Sequence, residues 1–245
     1  MVRDTDADWN LIATHQPYFG VLANERYRSE NLTPETIDDF YASGRADIDH
    51  VIGVLKRVTG IDVSPARALD FGCGAGRLTL AMAKYAKHVV GVDVAEGMLQ
   101  VAREQAAAHK VGNVELRTTI PSDQVDWINS LIVFQHIPPP RGYSILADLV
   151  ALLAPGGFLS VQVTFFRDDR HVAEITRDLA DYRYDGTTVE LLSHAASEAG
   201  SMSMYDYDLN RVVRTLFLGG IESVTLEHTD HGGCHGAWFY GRKND

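Results

Sequence analysis

The sequence predicts an α/β fold: a mostly parallel sheet with helices on both faces, preceded by an N-terminal helical extension. Three observations carry this. From residue 66 onward, short apolar runs alternate with stretches of helical periodicity, the pattern of parallel strands joined by crossover helices. Between the first strand and the first helix of that series stand Gly72, Gly74 and Gly76. The last two apolar runs are joined by a short link containing Gly232 and Gly233, which suits an antiparallel hairpin better than another crossover.

The elements follow in order. Residues 1–60 form the extension. Within it, Thr33, Pro34 and Glu35 give a helix start, because a threonine cap followed by proline satisfies and pre-sets the first turn. Ile37, Phe40 and Tyr41 mark one apolar face, and Ile48, Val51, Ile52 and Leu55 another, with Gly44 between them. Two helices are therefore expected, the second closed by Gly60. Residues 61–245 form the second part. Its strands are expected at 66–71, 88–94, 113–117, 126–134, 156–165, 221–228 and 236–243. Helices are expected at 77–86, 96–109, 141–153 and 210–220, the last capped by Asp208.

Charge narrows the function classes. Against 22 basic residues stand 33 acidic ones, a net −11. Nucleic-acid backbones and anionic membranes reward clustered Lys and Arg, so neither is expected as a partner; a small-molecule substrate is, and a homo-oligomer is compatible with the composition. No apolar run reaches the length of a membrane span. The two cysteines, Cys73 and Cys234, lie far apart, and the first residues lack an apolar leader. A reduced, cytoplasmic, soluble protein is the expectation.

The stretch "LDFGCGAGRL" is the strongest chemical signal. Its glycines let the backbone turn tightly and approach a ligand with no Cβ in the way. The third glycine comes one residue too soon for a dinucleotide fingerprint, and Asp70 stands two residues before the first. A carboxylate there suits a cationic ligand better than a pyrophosphate. In "VVGVDV", Asp93 ends the next strand, where a carboxylate can take both hydroxyls of a ribose. Val94 and Met98 follow as apolar surface for a nucleobase. The bland alternative, glycines serving a tight turn alone, fits the turn but not the paired acids.

With these residues the sequence resembles the class I S-adenosylmethionine-dependent methyltransferases, whose first motif is D-x-G-x-G-x-G and whose second commonly reads D-x-S-x-x-M-L. The resemblance spans residues 66–242, and "FQHIPP" and "HQPYFGVLANERY" are similar to a bacterial subgroup acting on small molecules. It implies S-adenosylmethionine as cofactor and a Rossmann-like seven-stranded sheet of order 3-2-1-4-5-7-6, the last strand antiparallel. It also implies that Asp70 and Gly72 lie near the methionine end, Gly74 and Gly76 in the loop, and Asp93 on the ribose. Family members often carry an acid after the third strand for the adenine; here Thr118 and Thr119 hold that place, with Asp123 nearby. The motif Asn-Pro-Pro-Tyr, which marks many base-methylating members, is absent.

The fourth strand should deliver Gln135 and His136 to the ligand edge. Gln135 is assigned to the cofactor and His136 to catalysis, as a base of near-neutral pKa; alternatively both only bond backbone and shape the pocket. Tyr18 and Phe19 are either a lid or core anchors. Arg167, Arg170 and His171 either reach the substrate or form a solvated face. The methionines of "SMSM" are wall. In "HTDHGGCHG", His231, Cys234 and His235 do not supply four ligands at zinc spacing, so no metal is expected. His231 and His235 are instead candidate catalytic bases at the substrate mouth, the alternative being a polar turn in solvent. The leading expectation is methyl transfer to O or N of a small metabolite. The alternatives are a protein or RNA methyltransferase, and a catalytically silent cofactor-binding scaffold.

Overall fold

The computed structural model describes residues 4–171, 180–184, 189–193, 200 and 202–245. Strands β1 (Arg67–Phe71), β2 (His88–Val92), β3 (Val114–Arg117), β4 (Val125–Ser130), β5 (Leu153–Arg167), β8 (Val224–His231) and β9 (Cys234–Arg242) build one sheet. Its order is β3-β2-β1-β4-β5-β9-β8. Pairings from β3 through β5 are parallel, and β9 runs antiparallel to both β5 and β8. Counted within the sheet, this is the expected 3-2-1-4-5-7-6. Strands β6 (Ala180–Tyr184) and β7 (Val189–Ser193) form a separate antiparallel ribbon in the long link after β5.

The central strands are apolar throughout because both of their faces are covered. On one face, Leu146 and Leu149 of α6 (Pro139–Leu152) and Val212 and Leu216 of α7 (Leu209–Leu218) bury against Val90, Ile128, Leu159 and Phe239. On the other, Ile48, Val51 and Leu55 of α3 (Pro34–Thr59) and Met82 of α4 (Thr79–Met82) cover Ala68, Val89, Trp127 and Tyr240. Each large side chain so buried contributes about 1.5–3 kcal/mol. At the sheet's end, α1 (Thr5–His15) sets Ile12 and Ala13 against Ala95 and Met98, beside and within α5 (Glu96–Ala108). Tyr18 of the short α2 (Pro17–Val21) joins Phe40 and Tyr41 in an aromatic knot, with centroids 5.0 and 6.4 Å away. It is therefore an anchor; Phe19 lies beneath the Arg28 guanidinium, 4.1 Å from its ring centroid.

Four expectations are corrected. The extension's two expected helices are one 26-residue helix, capped by Thr33 and Thr36 at its start and by left-handed Gly60 at its end. Gly44 does not break it. A Cβ there would stand 2.2 Å from the Arg77 carbonyl oxygen, so this glycine allows close approach. Helix α4 covers four residues rather than 77–86. Strand β4 stops at Ser130 rather than running to 134, because Ile132 turns left-handed (φ 61°) and Phe134–His136 form a 3-10 turn. In the closing hairpin only Gly232 and Gly233 separate the strands. Both have positive φ, 66° and 91°, as a type I′ turn requires.

Candidate active site

The C-terminal ends of the parallel strands open onto a cavity of about 430 Å³. Its floor is the turn after β1, where Gly72, Gly74 and Gly76 adopt φ of 74°, 50° and 82°. Side chains are excluded by space as well as by conformation. A Cβ would lie 2.4 Å from Val133 at Gly72, 2.6 Å from Val21 at Gly74 and 2.9 Å from Ala102 at Gly76. Gly76 packs the turn against α5 and does not itself line the cavity.

Beneath the turn, Asp70 is buried. Its Oδ2 accepts from the Thr79 hydroxyl at 2.6 Å and its Oδ1 from the Asn129 amide at 3.1 Å. Burial pushes its carboxyl up, and these two donors pull it back. Asp93 closes the next wall. Its Oδ2 accepts from the Gly74 N–H and its Oδ1 from the Ala95 N–H, each at 2.9 Å. Each oxygen keeps a further lone pair for a ligand hydroxyl. Burial pushes this carboxyl up to about 6, opposed by the N–H groups of Ala95 and Gly74. Val94, 40% exposed, and buried Met98 line the same end. Thr118 and Thr119 line it too, but the Thr119 hydroxyl accepts from Arg117 at 3.1 and 3.3 Å. Asp123 pairs with Arg67 at the opposite edge of β1.

The 3-10 turn brings His136 into the cavity wall and turns Gln135 away from it. His136 Nδ1 lies 2.9 Å from the Ser203 carbonyl oxygen. A carbonyl only accepts, so Nδ1 carries the hydrogen, and Nε2 accepts from the Gln135 amide at 3.2 Å. Burial pushes His136 down to about 4. The ring is thus neutral near pH 7, and its one lone pair is already occupied.

Sequence reasoning missed the cavity's outer wall. Thr5, Asp6 and Trp9 of α1 line it, together with Arg141 at the start of α6. Arg141 donates through Nη1 and Nη2 to the two Asp6 oxygens at 2.7 and 2.8 Å, and Trp9 meets His136 edge-on at 4.9 Å. The available signal was slight: Asp4, whose side chain caps α1, opens a helix with little apolar periodicity.

The hairpin histidines lie elsewhere. Because the turn is only two residues, His231 ends the edge strand β8 and His235 lies in β9 beside β5, and neither lines the cavity. His235 contacts Asp168 through Nε2 at 3.0 Å and His228 through Nδ1 at 2.9 Å. Arg170 bridges Asp168 and Asp230 at 2.6 and 2.7 Å, holding both carboxyls below the usual carboxylate range. Arg167 is buried, with its Nε 3.3 Å from Asp206. Buried Cys234 has its thiol pushed up to about 11. Met202 packs against the cluster of Ile12, Ala13, Ala95 and Met98 and does not line the cavity. Among the described residues, no three of His, Cys, Asp or Glu converge as a metal site would need, and no helix is long and apolar enough to cross a membrane.

Comparison with known proteins bears on the same region. Residues 68–157 match a family model described as a methyltransferase domain. A ribosomal protein L11 methyltransferase of Chromohalobacter salexigens is 34% identical over 108 residues, covering 44% of this chain and 36% of that protein. A ubiquinone biosynthesis O-methyltransferase of Acinetobacter baylyi is 35% identical over 99 residues, covering 37% of this chain and 40% of that one. The chain thus spans about two fifths or less of the length of these relatives. Among solved structures, the magnesium protoporphyrin IX methyltransferase of Synechocystis with bound SAH superposes with a TM-score of 0.67 at 16% identity. That match covers 98% of this chain and all of the other, a likeness of fold.

Proposed function

Because residues 68–157 match a methyltransferase domain, we propose that the protein transfers a methyl group from S-adenosylmethionine to an O or N atom of a small metabolite. The observation that carries this is Asp93. Its carboxylate is pinned by Gly74 N–H and Ala95 N–H at the rim of the cavity, with a lone pair left on each oxygen. That is the arrangement a ribose diol demands. Gly72 and Gly74 leave room for the methionine end, and the buried Asp70 sets negative charge beneath a sulfonium. Val94 and Met98 offer apolar surface to the adenine.

In the reaction the acceptor's lone pair forms the new bond to the methyl carbon while the carbon–sulfur bond breaks toward sulfur. The acceptor's proton passes to solvent water. Orientation within the cavity supplies most of the acceleration. His136, neutral and engaged by Gln135, acts first as a shaping group; as a base it serves only an acceptor that displaces the Gln135 amide. His231 and His235, outside the cavity, are given no role. A net charge of −11 favours a small acceptor over a nucleic acid.

Thermal-shift titration with S-adenosylmethionine and S-adenosylhomocysteine tests the reading. Both should raise Tm, and Asp93→Ala should remove most of that gain. No shift at millimolar ligand would refute it.

A further inference from the structure

The cofactor reading leaves one charged pair in the cavity unused. Asp6 and Arg141 both line it, yet they belong to α1 and α6, far apart in sequence, and they meet as a two-point fork. They share the cavity with Thr118, Thr119 and Val94, and Asp6 lies close enough to Asp93 for its charge to be felt by that carboxyl. The pair is only half-withdrawn from solvent, with side chains 41% and 47% exposed, so as an ion pair alone it contributes little. Its hydrogen-bonding capacity is not exhausted. A carboxylate offers about four acceptor sites and a guanidinium five N–H groups, of which the fork uses two on each side. The flank of such a fork presents an acceptor and a donor next to one another.

We propose that the Asp6–Arg141 pair reads the nucleobase of the cofactor, Asp6 accepting from the 6-amino group of adenine and Arg141 donating to an adjacent ring nitrogen. This rests on the methyltransferase reading and assigns a specificity role to the N-terminal helix. Two other polar groups of the cavity are poorly placed for the task. The Thr119 hydroxyl is taken by Arg117, and Asp93 is committed to backbone N–H groups and the sugar. Hypoxanthine reverses adenine's pattern, with an acceptor at position 6 and a donor at the neighbouring nitrogen. It would set oxygen against carboxylate and N–H against guanidinium.

Calorimetric titration of the full chain with S-adenosylhomocysteine and with S-inosylhomocysteine tests this. The unmodified protein should prefer the adenine form by on the order of tenfold, the modest size reflecting a half-exposed pair. Asp6→Asn, whose amide can donate to a 6-oxo group, should bring the two ligands within about threefold of each other. Arg141→Gln provides the same comparison should the first variant not fold. Asp93→Ala should weaken both ligands equally. An adenine preference unchanged in both Asp6→Asn and Arg141→Gln would overturn the inference alone, as would equal binding of both ligands to the unmodified protein. If the unmodified protein binds neither ligand, the methyltransferase reading falls as well.

Discussion

Two groups in the cavity wall, buried His136 and half-buried Asp93, give the site opposite responses to pH. The Asp93 carboxyl, raised to about 6 by burial, accepts two hydroxyl hydrogens, one on each oxygen, when ionised, and protonation turns one oxygen into a donor. Affinity for S-adenosylhomocysteine should therefore weaken as pH falls through 6, by up to about tenfold per unit. Asp93→Asn should bind weakly and without that dependence between pH 5 and 7; calorimetry at stepped pH checks both. His136 has its pKa depressed to about 4 against about 6.5 when unfolded. Its contribution to stability is present above pH 6.5 and is lost as pH falls toward 4, about 3 kcal/mol in all. Asp93 works in reverse, since its folded pKa is raised: its unfavourable burial is relieved as pH falls from about 6 toward 3.8. His136→Asn should thus lose less stability between pH 6.5 and 4.5 than the unmodified protein, measured by urea titration. If turnover in that variant falls only through KM, the ring shapes the pocket; a kcat loss with KM unchanged would make it a base. The cofactor residues were legible in sequence because glycine spacing and strand-end acids are local signals. The hydrogen bonds that occupy His136 were not, since Ser203 is 67 residues away.

At the scale of elements, α3 shows why periodicity alone misreads a helix. The shift in apolar face around Gly44 looked like a break between two helices. The structure shows one helix whose first part meets the aromatic knot and whose second part meets the sheet. Gly44 is the residue that lets α3 touch the turn after β1, and neighbouring contacts secure the join. Tyr41 donates to the Ala75 carbonyl at 2.8 Å, and Arg77 donates to Asp47 at 2.5 Å and Ser43 at 3.1 Å. Gly44→Ala forces a Cβ against backbone, which cannot rotate away. It should cost about 2–3 kcal/mol and lower Tm by about 5 °C, despite alanine's higher helix propensity. A Tm equal to or above that of the unmodified protein in a calorimetric scan would contradict the close approach. The closing hairpin was legible for the same reason that its histidines were misplaced. The glycine pair announces a tight turn, but a turn of two residues leaves both histidines in the strands, His235 paired with Phe166 of β5 and His231 with Cys234 of β9, instead of facing the cavity.

At the scale of the molecule, the first sixty residues do two different jobs, and truncation should separate them. The part up to Gln16 covers the cavity through Asp6 and Trp9 and rests on α5 through Ile12 and Ala13. It adds only a small apolar patch to the body. The part from Pro34 to Thr59 puts Ile48, Val51, Val54 and Leu55 into the same cluster as Trp127 and Tyr240, so it belongs to the sheet's own core. That packing argues for a boundary before α3, and truncation tests it against one at residue 60. Removing residues 1–16 should leave a cooperatively folding protein with weakened S-adenosylhomocysteine binding, because one wall of the cavity is gone. Removing residues 1–60 should take away four buried aliphatics and expose the face of the sheet they cover, at about 1.5–3 kcal/mol for each. That sum is comparable to the whole stability of a domain, so the shorter chain should be recovered aggregated or without a cooperative transition. Circular dichroism melts of the two truncations decide the matter. A cooperative melt from residues 61–245 would show that α3 is an appendage after all.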